Sequence, residues 1–262
     1  MALRALLWDV DGTLAETESD GHRPAFNAAF AEAGLPWSWD LPTYARLLAI
    51  SGGRERITAF LAEAEGDPPD PARVEALQRR KQHHYRRLLA EGRVRLRPGV
   101  ERLIGEAAAA GLPQAIVTTS GREAVRALLE GSLARWMPSL AVWVCGEDVA
   151  RKKPDPEAYL TACSRLQVAP QDALALEDSP QGLRAAAAAG VPCLVTRSAF
   201  SRLEPLERFA AAAAVVDHLG EESNPCRLEA GPPCERGWLT LSYLQGLAAH
   251  PSSSAATGSR RP

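Results

Sequence analysis

The chain begins with a short apolar run, Ala5-Leu6-Leu7-Trp8, that ends in Asp9-Val10-Asp11-Gly12-Thr13. An apolar run this short reads as a buried strand. In an open parallel sheet, ligands bind beyond the carboxyl ends of the strands, so both carboxylates sit where chemistry happens. Gly12 lets the backbone turn sharply beside them. Asp-Gly alone would be an ordinary turn signal; it is the apolar strand in front of it that argues for a site. A second clue lies in the cations. The chain has 30 basic residues, and the only lysines are Lys81, Lys152 and Lys153. A GC-rich coding bias explains the arginine excess. A retained lysine then marks places where a compact ammonium is wanted and a wide planar guanidinium is not, as where a phosphate is met.

The elements needed to position these groups follow from periodicity. Further short apolar runs at 114–118, 140–145, 173–177, 192–196 and 213–216 read as strands. Helical patterns lie between most of them, at 99–110, 122–133, 156–166 and 180–189, several with proline at the start or glycine at the end. The expected fold class is α/β, a Rossmann-like open parallel sheet with helices on both faces. Residues 17–93 break the alternation. They read as four helical segments, 22–33, 41–48, 54–65 and 71–90, forming an inserted small all-helical domain. The core is then 1–16 and 94–220. The remainder, 221–262, is a C-terminal extension with one short helix near 238–248 and a tail from 251 expected to be disordered.

Composition excludes several classes. With 46% apolar and 24% charged residues the 262-residue chain is globular, and its net charge of -2 offers no basic face for nucleic acid or an anionic membrane. No apolar run approaches the ~18 residues of a spanning helix, and Asp9 comes too early for a signal peptide, so a cytoplasmic protein is expected. The five cysteines form no CxxC pair, which suggests neither a disulfide framework nor a zinc site.

An apolar strand followed by DxDGT, with a helical insertion behind it, resembles the haloacid dehalogenase superfamily in its phosphatase branch. The superfamily's other motifs can be matched in order. Thr118 ends Ala115-Ile116-Val117, followed by Thr119 and Ser120; Lys153 precedes Pro154; Glu177-Asp178 ends Leu174-Ala175-Leu176. The resemblance implies that Asp9 is the nucleophile of an aspartyl-phosphate mechanism and Asp11 the general acid and base. It implies that Thr118 and Lys153 hold the transferring phosphoryl group. Lys152 is the neighbouring alternative, but the motif places the lysine directly before proline. The implied cofactor is Mg²⁺, held by Asp9, the Asp11 carbonyl and Asp178, with Glu177 as a further ligand or an orienter.

The insertion would then be a cap that reads the leaving group. Ser51-Gly52-Gly53-Arg54 opens a cap helix where amides and dipole favour an anion, and Lys81 stands on the next. A cationic cap over a phosphatase core suggests a substrate with two phosphates. Glu18 and His22 behind the first motif, with Arg97-Pro98-Gly99 and the cap glycines, resemble the CbbY proteins. That family implies removal of the 1-phosphate of xylulose 1,5-bisphosphate, a Rubisco inhibitor, giving xylulose 5-phosphate. Thr119, Ser120 and Arg122 join Glu18, His22, Ser51, Gly52, Gly53, Arg54 and Lys81 as expected substrate contacts. Arg54 departs from the lysine expected there. The expected partner is a small sugar bisphosphate, bound by a monomer. A β-phosphoglucomutase-like mutase would share every motif and differ only in keeping water from the aspartyl-phosphate; a broad sugar-phosphate phosphatase is also compatible. Dehalogenases lack the second aspartate. A phosphonate hydrolase would use Lys81 as a Schiff base. A non-catalytic phospho-ligand binder would be expected to have lost Asp9 or Asp11.

Overall fold

The structure is a computed structural model, and it describes residues 2–50 and 52–249. Six strands run parallel: β1 (Ala5–Trp8), β2 (Gln114–Val117), β3 (Val142–Val144), β4 (Ala173–Glu177), β5 (Cys193–Thr196) and β6 (Ala214–Val216). The sheet order is β3-β2-β1-β4-β5-β6-β7, where β7 (Leu228–Ala230) returns antiparallel on β6. The central strand β1 is flanked by β2 and β4. Chain order reverses there, which opens a crevice at the carboxyl ends of these three strands.

Strand residues alternate between two cores, as the pleat requires. Leu6, Trp8, Ile116, Leu174 and Leu176 pack on one face with α5 (Val100–Ala109), α6 (Arg122–Ser132) and α9 (Leu241–Ala249). Ala5, Leu7, Ala115, Val117, Ala173 and Ala175 pack on the other with α7 (Glu157–Leu166) and α8 (Pro180–Ala188). Both faces are covered, which is why the strands read as unbroken apolar runs.

After β1 the chain makes a widened helical turn, Glu18–His22, and continues into α1 (Arg23–Glu32), α2 (Leu41–Leu47), α3 (Gly53–Glu65) and α4 (Pro71–Ala90). These helices bury a separate cluster of Phe26, Phe30, Trp39, Tyr44, Ile57, Leu61 and Leu77. Each such side chain contributes about 1.5–3 kcal/mol when fully buried. Helix starts are set locally. Asp40 accepts from the Thr43 amide at 2.8 Å and Asp70 from the Ala72 amide at 2.9 Å. Such caps are worth about 1 kcal/mol each. This helical block is the cap.

The extension departs from expectation. Residues 228–230 form β7, and the ion pair of Arg197 on Glu229 at 2.6 Å ties it to the core. Three residues of mixed polarity carry no strand signal; pairing with the free edge of β6 creates the strand. Leu244 and Leu247 of α9 complete the core cluster over α5. The expected disorder of residues 251–262 lies outside the described residues. Among those described, no helix is long and apolar enough to cross a membrane.

Candidate active site

Three adjacent strands deliver the acids and the hydroxyl. Asp9 follows β1, Thr118 follows β2, and Glu177-Asp178 closes β4. Their in-register pairing, Trp8 beside Ile116 and Leu176, brings residues distant in sequence to one rim. Lys153 arrives from the segment before α7. Its Nζ donates to Asp9 Oδ1 at 2.8 Å, to Glu177 Oε1 at 2.5 Å and to the Val117 carbonyl at 2.8 Å. Lys152 points elsewhere, onto Glu55 of the cap at 2.5 Å. Thr13 donates to Asp9 Oδ2 at 3.1 Å, and Tyr159 donates to Glu177 at 2.5 Å.

Asp9, Glu177 and Asp178 are buried, and their carboxylate oxygens lie within 4.8 Å of one another. Burial pushes the Asp9 carboxyl up to about 7, with Glu177 and Asp11 adding and Lys153 opposing. Burial beside Asp9 and Glu177 holds Asp178 well above the usual carboxylate range. A divalent cation would relieve this accumulation of negative charge, and hard oxygen donors suit Mg²⁺. Gly12 is fitted to the same spot. Its φ is 85°, and a Cβ there would stand 2.2 Å from Asp178 Oδ2. The loop is fixed by the buried Arg97, which donates to the Gly12 carbonyl, to Thr196 O at 2.8 Å, to Arg197 O at 2.8 Å and to the Asp217 carbonyl.

Asp11 is held by three donors. Thr17 Oγ1 and Ser120 Oγ each lie at 2.5 Å, and His22 Nε2 lies at 2.9 Å. Burial alone would raise this carboxyl, but His22, Ser120 and Thr17 hold it below the usual range. His22 Nδ1 in turn meets Lys81 Nζ at 2.9 Å. Burial lowers the Lys81 ammonium to about 8.

A cavity of about 1170 Å³ joins these groups to the cap. It is lined by Asp9, Asp11, Thr119, Ser120, Lys153 and Asp178 from the core, and by Glu18, His22, Gly52, Gly53, Arg54 and Lys81 from the cap side. Gly52 adopts φ 101°, and a Cβ there would stand 2.1 Å from a Glu55 carboxylate oxygen. Thr118 is buried at the rim, its Oγ1 accepting from the Ser120 amide at 3.0 Å. Arg122 is a correction: it does not line this cavity but reaches away, pairing with Asp148 at 2.5 Å. It was among the expected substrate contacts; Asp148, just after β3, captures it instead. Ser51 lies outside the described residues.

Sequence reasoning passed over Arg56, Thr17 and Arg97 as site residues. Arg56 lines the cavity; it is buried, donates to the Tyr44 hydroxyl at 2.8 Å and lies 3.6 Å from Glu18. An Arg two positions after Arg54, on the same short helix turn, was the available signal.

The fold and the site define a capped hydrolase class. The model of the haloacid dehalogenase-like hydrolases matches residues 3–190, and the chain belongs to that family. Protein CbbY encoded on a plasmid of Cupriavidus necator is 42% identical over 251 residues, covering 93% of this chain and 96% of that protein. The crystal structure of a CbbY mutant from Rhodobacter sphaeroides in complex with xylulose-(1,5)bisphosphate superposes with a TM-score of 0.77 at 42% identity, covering 85% of this chain and 96% of that one. CbbY from the same organism in complex with phosphate gives 0.76 at 43% identity, over 83% and 95% of the two chains. Within the family, this chain is of the CbbY type, a phosphoric monoester hydrolase.

Proposed function

We propose that the chain is a Mg²⁺-dependent sugar-bisphosphate phosphatase that removes the 1-phosphate of xylulose 1,5-bisphosphate and releases xylulose 5-phosphate. The observation that carries this reading is one cavity with the core acids and Lys153 in one part and the cap cations Arg54 and Arg56 in another. A monophosphate would need only the first part. The choice of sugar is supported by the CbbY relative whose structure holds xylulose-(1,5)bisphosphate. The cellular role proposed with it is removal of a Rubisco inhibitor by a cytoplasmic enzyme.

In this reading an Asp9 carboxylate oxygen attacks phosphorus and forms an aspartyl-phosphate, while Asp11 protonates the departing sugar oxygen. Asp11 then takes a proton from the water that hydrolyses the intermediate. The donors around Asp11 favour its ionised form, which suits the second step. Before the first step it must take up a proton, and the Thr17 and Ser120 hydroxyls can turn to accept from it. Lys153 and Thr118 offset charge on the phosphoryl oxygens. Asp9, Asp178 and the Asp11 carbonyl would hold Mg²⁺, with Glu177 orienting Lys153. When bound, the ion supplies positive charge against the build-up on the transferring group. Cap closure excludes bulk water and positions the second phosphate.

The test is phosphate release over a panel of mono- and bisphosphorylated sugars, with Mg²⁺ and with a chelator. The reading expects the bisphosphates to lead in kcat/KM and the chelator to abolish release. Equal rates on monophosphates would reduce it to a broad sugar-phosphate phosphatase.

A further inference from the structure

Beyond Gly220 the chain carries Cys226 and Cys234, on a stretch rich in glycine and proline. The other cysteines, Cys145, Cys163 and Cys193, are buried in the core, whereas these two are half-buried. One return of the chain fixes both. The Cys226 amide donates to the Gly237 carbonyl at 2.6 Å, and Cys234 Sγ donates to the Trp238 carbonyl across 3.3 Å. Both side chains pack against the core cluster that also seats α9. Flanking contacts hold the loop in place: the Leu239 amide donates to Leu219 O at 2.8 Å, and the Tyr243 hydroxyl to Pro232 O at 2.7 Å. A disulfide fails where the backbone must move to bring the sulfurs together. Here the consecutive carbonyls of Gly237 and Trp238 hold both cysteines at one point of the chain.

We infer that Cys226 and Cys234 form a modification site, a dithiol that closes to an intramolecular disulfide on meeting a small-molecule or protein disulfide. One cysteine thiolate attacks the oxidant's S–S bond, forming a mixed disulfide and releasing one oxidant thiol. The second cysteine displaces the other half. The two cysteines lose two protons and two electrons, one S–S bond forms in the protein, and the oxidant leaves as two thiols. Burial and the neighbouring Cys234 push the Cys226 thiol up to about 12, so its thiolate is scarce and closure is slow near neutral pH. The bond would clamp the segment 226–234, which carries β7, ahead of α9. Asp217 relates this loop to the catalytic rim: its Oδ1 accepts from the Arg227 amide at 2.7 Å, and its carbonyl accepts from Arg97, which also holds Gly12. None of these groups is a reacting atom.

The sequence supplies a direct readout. Trypsin cleaving at Arg208, Arg227 and Arg236 places Cys226 on the peptide 209–227 and Cys234 on 228–236. The folded full chain is incubated with oxidised glutathione, alkylated, and digested without reductant. The expected result is loss of both peptides and gain of one linked peptide, reversed by dithiothreitol, with Cys145, Cys163 and Cys193 unlinked. Amide exchange over 226–239 should slow on oxidation. Cys226→Ser should leave Cys234 as a glutathione adduct with no linked peptide. Recovery of the two wild-type peptides as separate alkylated thiols, or as separate glutathione adducts, overturns the inference.

Discussion

Lys153 Nζ stands 2.8 Å from Asp9 Oδ1, and both side chains are almost wholly removed from water. The ammonium is itself held well above its usual range: burial works against it, and the Asp9 and Glu177 carboxylates outweigh burial. The pair is therefore a fixed positive charge beside the attacking oxygen. Shortening or neutralising the lysine removes that charge while leaving three acids crowded together. Lys153→Met should lower kcat by at least about a hundredfold, the loss expected for one preorganised donor to a transition-state oxyanion. A rate assay on p-nitrophenyl phosphate suffices, and a variant within a few-fold of wild type would show that Lys153 has no part in the transition state.

Asp9 makes stability depend on pH in a definite direction. Its folded-state carboxyl titrates near 7 against an ordinary 3.8, so the folded protein binds the extra proton between those values. Stability from this group is therefore lost as pH rises from about 4 to about 7 in the chelated protein. Mg²⁺ competes with that proton, so the rise in Tm on adding Mg²⁺ should grow across the same window. Asp9→Asn should abolish turnover, keep the fold, and flatten this part of the slope. Thermal melts at several pH values, with Mg²⁺ and with chelator, read both effects; a Mg²⁺ shift independent of pH would contradict the assignment.

Arg54 and Lys81 should separate by substrate. Arg54 is exposed and pairs with Glu75 at 2.9 Å, a weak surface contact that a phosphate can displace. Lys81 instead bonds His22, the donor to Asp11. Losing a charged phosphate contact costs about 1.5–3 kcal/mol, or about ten- to a hundredfold. Arg54→Ala should impose that penalty on a sugar bisphosphate and spare p-nitrophenyl phosphate. Lys81→Met should slow both substrates. The comparison is a ratio of kcat/KM penalties, and equal penalties for Arg54→Ala on both substrates would remove Arg54 from phosphate recognition.

Arg97 should behave as a positioning residue. Its guanidinium serves carbonyls of Gly12, Thr196, Arg197 and Asp217, which removal would leave unsatisfied in a buried site. Arg97→Met should destabilise the protein by at least about 1–3 kcal/mol, the cost of one buried acceptor left unsatisfied. Arg97→Lys should recover only part of this, since one ammonium cannot span four acceptors. Urea melts measure the loss; a near-neutral Arg97→Met would contradict the role.

Much of this was legible in the sequence because the core motifs sit at strand ends, where apolar runs point directly at Asp9, Thr118 and Glu177. The scarce lysines fall around one cavity: Lys153 and Lys81 are both buried there, and Lys152 bridges the core and the helical insertion. Other residues were harder to single out. Arg56 stands two positions from Arg54 and Arg97 opens an Arg-Pro-Gly run, but their buried roles depend on partners distant in sequence: Tyr44 and Glu18 for Arg56, Thr196 and Asp217 for Arg97. The Lys81–His22 contact spans two helices, so the lysine read as a second-phosphate ligand until its partner was known. β7 exists only because β6 offers it an edge.

The central claim is removal of one particular phosphate from a sugar bisphosphate. Phosphorus-31 NMR of xylulose 1,5-bisphosphate turning over with the enzyme and Mg²⁺ tests it directly. The account predicts that the C1 phosphorus signal is replaced by inorganic phosphate while the C5 signal persists as xylulose 5-phosphate. Loss of the C5 phosphate, or movement of phosphate to another hydroxyl without release of inorganic phosphate, would contradict it.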